Sequence, residues 1–411
     1  EPVTYLHPLL ENSLAKTLGV PLFQEQLMQM AIDVAGFSAA EADQLRQAMG
    51  SKRSRQRMER LRARLYEGMA ERDITGDTAD AIYEKLAAFA NFGFPESHSV
   101  SFAYLVYASA WFKLHYPAAF CASLLNAQPM GFWSPHTLTR DARRHGVNVR
   151  RPDVNASDWW STLEHDPDSH KGASVRLGIK EVRAVGEDLA QRIAANRPYT
   201  SMDDCVRRAE VPLPAIEALA TAGAFRSLGL DRREALWAAG ATAQAAPAGG
   251  AGGRPPQLRL PGVVTGVAAP SLPGMSPPEE TVADLWATGI STEHHPTQHV
   301  RDALDERGVL TAEQLRTAPA GERVLIGGVV THRQRPATAS GTVFLNIEDE
   351  TGLINVICSA GLWRRFRRIA RTSPGLVVRG TLERVDGVIN IVADKLEPLP
   401  LAVGTRSRDF R

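Results

Sequence analysis

Cysteine is scarce in this 411-residue chain: Cys121, Cys205 and Cys358 are odd in number and far apart. That leaves neither a disulfide framework nor a Cys-x-x-Cys metal site, and it points to a reducing, cytoplasmic compartment. No apolar run approaches the roughly 18 to 20 residues that a membrane span needs, so no membrane partner is expected. Net charge is nearly absent as well, at +1, and as an average it argues against a phosphate-binding surface. The chain opens on Glu1-Pro2-Val3-Thr4 with no Met and no basic-then-apolar leader, which reads as a processed chain or a fragment. What remains is an ordinary globular composition, 44% hydrophobic and 23% charged, in a length suited to about two to four domains.

The average charge hides strong segregation. Residues 1–45 have a net charge of -5 and 46–72 of +6, whereas 272–322 have -6 and 323–411 have +6. Two basic regions are separated by acidic ones, so local fields matter more than the sum.

Hydrophobic periodicity divides the chain further. From Leu22 to about Leu125 apolar residues recur at helical spacing, as in Leu27, Met30, Ala31 and Val34, then Ile82, Leu86 and Phe89. A break at Asn91-Phe92-Gly93-Phe94-Pro95 precedes a long helix to His115, for which Ser97 or Ser99 is the expected cap. Val175 to Trp237 reads as short helices joined by Gly or Pro turns. Residues 241–253 contain eleven Ala, Gly or Pro among thirteen, a flexible linker by composition. Val282 to Leu315 is helical in pattern. Five alternating stretches follow, beginning near Val324, Val343, Leu353, Leu376 and Val388, with a helix from Leu362 to Arg371 in the third interval. Five strands with a helix in that slot is the order of an OB-fold. The expected fold is thus multidomain and mainly α, followed by a small all-β barrel.

Such a barrel binds single strands by stacking bases on aromatics and tracking phosphates with Arg. Its candidates are Arg333, Arg335, Phe344, Arg364, Arg365, Arg367 and Arg368. A second reading makes Phe344, Trp363 and Phe366 core residues and the arginines a solvated helix face. Gly178 to Ile193 resembles a helix-hairpin-helix motif, in which free N–H groups at a helix start meet a DNA phosphate. Arg183, Val185 and Gly186 are its candidate contacts. Ala184 replaces the first hairpin Gly, which puts the tightness of the turn in question, and Pro212 to Gly229 looks like a more degenerate copy. Arg46 with Lys52 and Arg53, around Gly50, forms a basic turn suited to a triphosphate or a DNA backbone. Asp166-Pro167-Asp168 is the sole Asp-x-Asp and lies outside any expected strand. His294, His295 and His299 lack a completing Cys or carboxylate set, so no metal ligand is assigned.

Four strings closely resemble the bacterial C-family DNA polymerases, relatives of the polymerase III α subunit: Leu22-Phe23-Gln24-Glu25-Gln26-Leu27-Met28, Arg46-Gln47-Ala48-Met49-Gly50, Phe92-Gly93-Phe94-Pro95-Glu96-Ser97-His98-Ser99 and Trp111-Phe112-Lys113-Leu114-His115-Tyr116-Pro117. Pro95-Glu96 and Gln128-Pro129-Met130-Gly131-Phe132-Trp133-Ser134-Pro135 are similar to the error-prone branch. The resemblance implies fingers over 1–150, tandem helix-hairpin-helix over 151–237, a linker over 238–281, a helical connection over 282–320, the OB domain over 321–400 and a tail over 401–411.

It also implies the roles. Arg46, Lys52 and Arg53 would hold the triphosphate of an incoming dNTP, with His98 near the nucleotide. Primer-template DNA and single-stranded template would be the nucleic-acid partners. Gln257-Leu258-Arg259-Leu260-Pro261 resembles a sliding-clamp peptide, but Pro261 replaces its anchoring aromatic, so clamp binding should be weak or indirect, through other mutasome proteins. The palm that holds two Mg²⁺ ions should lie upstream of Glu1, leaving no catalytic residue here. The expectation is the carboxy-terminal part of an error-prone polymerase of translesion synthesis and damage-induced mutagenesis, inactive alone. The alternatives are a mutasome interaction module with little DNA binding and a replicative paralogue.

Overall fold

The computed structural model describes residues 2–49, 54–89, 94–245, 269–336, 339–401 and 407–410. The chain forms two compact units, Glu1–Trp111 and Phe112–Arg411.

The first unit is helical: α1 (Glu11–Leu14), α2 (Gln24–Ala35), α3 (Ala39–Met49), α4 (Ser54–Ala70), α5 (Gly76–Phe89) and α6 (Glu96–His115), which runs across the division. Leu27, Met30, Ala31 and Val34 bury one face of α2, and Ile82 and Leu86 one face of α5, as their spacing of three and four residues requires. α2 and α4 approach closely because Gly68 has no side chain; a Cβ there would stand 1.9 Å from the Ala35 carbonyl oxygen. α6 starts at Glu96, so Ser97 and Ser99 lie within its first turn rather than capping it. Instead the Glu96 amide donates to the Glu25 carboxylate at 2.9 Å.

The second unit begins with α7 (Pro117–Asn126) and α8 (Pro135–Arg144), so these fold with the residues that follow them. A small sheet comes next: β1 (Val149–Arg150), β2 (Thr162–His165) and β3 (Ala173–Arg176), in the order β1-β3-β2. Strands this short give no alternation to read. The helices α9 (Glu187–Ala195), α10 (Met202–Ala209), α11 (Leu213–Ala222) and α12 (Arg232–Ala245) pack around Ile193, Val206, Ile216, Leu219 and Phe225. α12 thus extends into the Ala-rich stretch expected to be linker, and α13 (Pro277–Ala287) begins before its expected end. The expected helical run to Leu315 is broken up. After α13 come a 3₁₀ turn at Pro296–Val300, α14 (Arg301–Glu306) and β4 (Val309–Leu310), with Gly289 and Gly308 both left-handed.

The barrel is formed by β5 (Arg323–Gln334), β6 (Val343–Glu348), β7 (Leu353–Cys358), β8 (Gly375–Val385) and β9 (Val388–Pro398). The pairs β5–β6, β6–β7, β7–β9, β9–β8 and β8–β5 close it into an OB-fold. Inward residues such as Val343, Leu345, Ile347, Ile354 and Val356 fill it. The expected single helix is two short ones, α15 (Ala360–Arg365) and α16 (Arg367–Thr372). In the expected tail, β10 (Arg408–Phe410) pairs in parallel with β5 at His332–Gln334.

The turn after β6 fastens the barrel to the helices before it. Glu348, fully buried, accepts from Arg144 at 3.0 Å and from the Thr137 hydroxyl at 3.3 Å. Burial pushes its pKa up against the pull of Arg144. Glu350 accepts from Arg301 and from the Thr297 hydroxyl, each at 2.5 Å. Cys121, Cys205 and Cys358 are buried free thiols, each pushed up to about 12 chiefly by burial.

Candidate nucleic-acid interface

The first hairpin runs from a 3₁₀ turn at Ile179–Glu181 to α9. Ala184 takes a positive φ of 61°, so the tight turn survives without glycine, at the strain that a Cβ brings to left-handed backbone. Gly186 is the N-cap of α9, and nothing stands within 4 Å of where its Cβ would be. Ligand backbone can therefore approach it. The first-turn amides of α9 have no carbonyl one turn earlier to bond. Val185 must be corrected as a contact. It is only 7% exposed within the helical core, and its amide donates to the Val182 carbonyl at 3.1 Å.

Arg183 lies on the solvent side of this hairpin. Its amide donates to the Ala287 carbonyl at 2.7 Å, and its guanidinium carbon stands 5.0 Å from the centroid of the Trp286 ring. α13, which supplies both partners, is held by Asp284. That carboxylate is buried between Arg232 at 2.5 Å and Arg151 at 3.7 Å.

The second hairpin joins α10 to α11 through Glu210-Val211-Pro212. Glu210 has the same left-handed backbone, φ 52°, Val211 is buried like Val185, and Pro212 is the N-cap. The expected copy at Pro212 to Gly229 is thus shifted: α11 is its second helix. Pro212 and Pro214 carry no N–H, so this helix start has lost two donors that the first one keeps.

On the barrel, Phe344 is half-buried between the inward-facing Val343 and Leu345, so it lies on the outer face, opposite Gln334 and Ile357 of the neighbouring strands. Trp363 and Phe366 pack against the barrel core instead. Arg364, Arg365, Arg367 and Arg368 are exposed. Arg335 is exposed too, on a loop that meets the start of α15: a Cβ at Gly341 would lie 3.3 Å from Ala360 and 3.9 Å from the Arg335 guanidinium. Arg333 must be corrected. It is 7% exposed and donates to the carbonyls of Ala370 at 2.6 Å and Ser373 at 2.8 Å, and its guanidinium faces Asp409 of β10. Its donors go to the end of α16 and to the β10 segment.

In the first unit, Gln26 organises the start of α2. Its buried amide accepts from the Leu22 and Phe23 N–H groups and donates to the Ser13 carbonyl and the Thr17 hydroxyl. Gln24 then donates to the Phe94 carbonyl at 3.1 Å, which brings the string that contains Phe94 alongside. There His98 is exposed, its ring between those of Phe94 and Phe102 at 4.8 and 4.6 Å. Lys52 and Arg53 lie outside the described residues, as do Gln257, Leu258 and Leu260. Arg46 is on α3, and nothing is described of its side chain. Arg64, further along the basic run, pairs with Glu41 at 3.1 Å and fastens α4.

Asp166 accepts from Arg150 at 3.0 Å, from Asn148 and from the Asp168 amide. The hydrogen bonds from Asn148 and Arg150 lower its pKa, and it serves a turn and an ion pair. The three histidines go to separate tasks: His295 is buried on Thr297, His299 bonds the Thr281 hydroxyl at 2.8 Å, and His294 flanks His299.

A tandem of hairpins followed by an OB barrel is an order of domains suited to handling nucleic acid. Family models agree: a bacterial DNA polymerase III alpha subunit finger domain matches residues 1–73, a helix-hairpin-helix motif 146–235, and an OB-fold nucleic acid binding domain 324–399. Over its whole length the chain is 59% identical to an error-prone DNA polymerase of Nocardia farcinica, 57% to that of Mycobacterium tuberculosis and 50% to that of Corynebacterium glutamicum. It spans 36%, 36% and 38% of those relatives. The chain belongs to the bacterial C-family DNA polymerases, in their error-prone branch.

Two residues of this interface were not legible in the sequence. Trp286 lies about a hundred positions from the hairpin it flanks, and the carboxylate of Asp409 that faces Arg333 comes from a three-residue strand. Neither carries a local signal.

Proposed function

We propose that this chain is the DNA- and nucleotide-handling part of a cytoplasmic error-prone DNA polymerase that copies damaged template in translesion synthesis and damage-induced mutagenesis. The observation that carries this reading is the full-length identity to error-prone polymerases, combined with the order fingers, hairpins, barrel. In the longer polymerase the reaction is nucleotidyl transfer from a dNTP to a primer 3′ hydroxyl. The hairpin amides hold phosphates of primer-template DNA whatever the bases, and the barrel carries single-stranded template on Phe344 and its arginines. The fingers meet the triphosphate through Arg46, Lys52, Arg53 and His98.

The Mg²⁺ ions of such a reaction do not fit here. Asp166 is committed to Arg150, and the described residues bring no three His, Cys, Asp or Glu side chains together as a metal site. We propose that this chain alone is inactive. Other mutasome proteins bring it to the sliding clamp, because Gln257-Leu258-Arg259-Leu260-Pro261 is a poor clamp peptide.

Primer extension by this chain alone is expected to give no product, and robust synthesis would overturn the assignment. Replacing Arg364, Arg365, Arg367 and Arg368 by Ala should lower the salt slope of single-strand binding by up to about 3. An unchanged slope with lost protein binding would favour an interaction module.

A further inference from the structure

We infer that Trp286 is a positioning residue for the first hairpin, holding the Arg183 guanidinium ready for a DNA phosphate. The inference rests on the proposed reading of that hairpin as a DNA contact, and it adds a residue from outside the stretch the helix-hairpin-helix model covers, 146–235.

Three observations meet at this point. Trp286 is 47% exposed, although the next residue, Ala287, is buried in the helical core. A large ring left in water beside a core position is not there for packing alone. Arg183 is tied to each of these two residues once, by its amide to the Ala287 carbonyl and by its guanidinium over the Trp286 ring. No carboxylate pairs with that guanidinium among the described residues, and the Arg183 side chain is exposed. It is fixed in place, yet its N–H donors remain available.

The chemistry follows from the arginine. A free arginine must give up rotamer freedom when it grips a phosphate, and an aromatic face that already restrains it reduces that cost. Stacking uses the face of the guanidinium and leaves its edge, where the N–H groups point, for phosphate oxygens. The neighbouring carboxylates Glu187 and Asp188 head α9 and are exposed. A positioned cation at residue 183 offsets their repulsion of the backbone of DNA. The ligand class is a nucleic-acid phosphodiester, read without regard to base.

The test is a double-mutant cycle on the full 411-residue chain, with fluorescently labelled duplex DNA titrated across salt concentrations. Arg183→Ala should weaken binding and lower the salt slope by about 1. Trp286→Ala should weaken it about two- to fivefold, the span of an exposed cation–π contact, and leave the slope unchanged because no charge is lost. In the Arg183→Ala background, Trp286→Ala should have no further effect, and Trp286→Phe should restore most of the affinity in the parent. Thermal unfolding of each variant separates these effects from damage to the fold. Equal binding by Trp286→Ala and the parent, with Arg183→Ala impaired, would overturn the positioning role. Loss of affinity on Trp286→Ala that persists in the Arg183→Ala background would also overturn it. A parent chain that binds duplex DNA with no salt dependence would sink the hairpin reading itself, a result distinct from both.

Discussion

The two hairpins share a backbone and differ in what they offer a ligand. Each has a left-handed residue that is not glycine, Ala184 in one and Glu210 in the other, then a buried valine, then an N-cap with φ near -75°. The first ends in Gly186, which keeps its N–H, and is flanked by Arg183 and Trp286. The second ends in Pro212, which has none, and its turn carries a carboxylate. The same turn thus builds a packed core in both, and on the proposed reading a phosphate site only in the first. Donors and charge decide the ligand, not the shape of the chain.

Removing the anchor of α13 should separate the two most. Asp284→Ala leaves Arg232 buried without its carboxylate partner, which should cost about 3–5 kcal/mol in chemical denaturation, while Arg151 keeps Glu280 and Glu293. Hydrogen exchange should speed at the Arg183 amide and stay slow at Val211; equal acceleration at both would mean that α13 supports the whole domain. Gly186→Pro would make the first hairpin chemically like the second. Its φ of -77° already suits proline, so the fold should hold while duplex affinity drops about tenfold, one charge-assisted N–H bond to phosphate. Pro212→Gly should leave affinity as it was, and a loss there would erase the distinction. Ala184→Gly and Glu210→Gly should each stabilise the domain by about 1 kcal/mol in thermal unfolding, by relieving left-handed strain. Here the hairpins should respond alike.

A further effect concerns pH. His295 is buried and its pKa is held well below the ordinary value, chiefly by burial; His136, stacked on it, is pushed down to about 3 by burial, then by Arg140 and Arg144. Both rings stay neutral in the fold, and His136 accepts from the Ser291 amide at 3.3 Å, beyond the end of α13. Below the unfolded pKa of about 6.5 the unfolded chain takes up the protons and the folded one does not, so stability falls as pH falls. The melting temperature should drop by a few degrees between pH 7.5 and 5.5. His136→Gln should flatten that dependence.

How far the sequence revealed these features depended on the range of each interaction. Barrel strands were legible because a buried face repeats every second residue, and α2 and α5 because theirs repeats every third or fourth. The small sheet was not, since Val149–Arg150 is too short to show a period. The helical reading after α13 failed at Gly289 and Gly308, where left-handed backbone ends helical structure. At the first hairpin the motif pointed to Arg183 and Gly186, which stand exposed at the turn and at the N-cap of α9. Val185 and Arg333 were misassigned because residue type does not say which way a side chain faces.

The paired carboxylates of Glu348 and Glu350 have a mechanical consequence. A barrel attached only through a chain would swing like a weight on a string, and a strand pulled across it would merely turn it. Here Arg144 and Arg301 grip one turn of the barrel from two different helices. A force applied to the barrel is therefore passed to α8 and α14 as leverage, so the barrel acts as a bracket rather than a float.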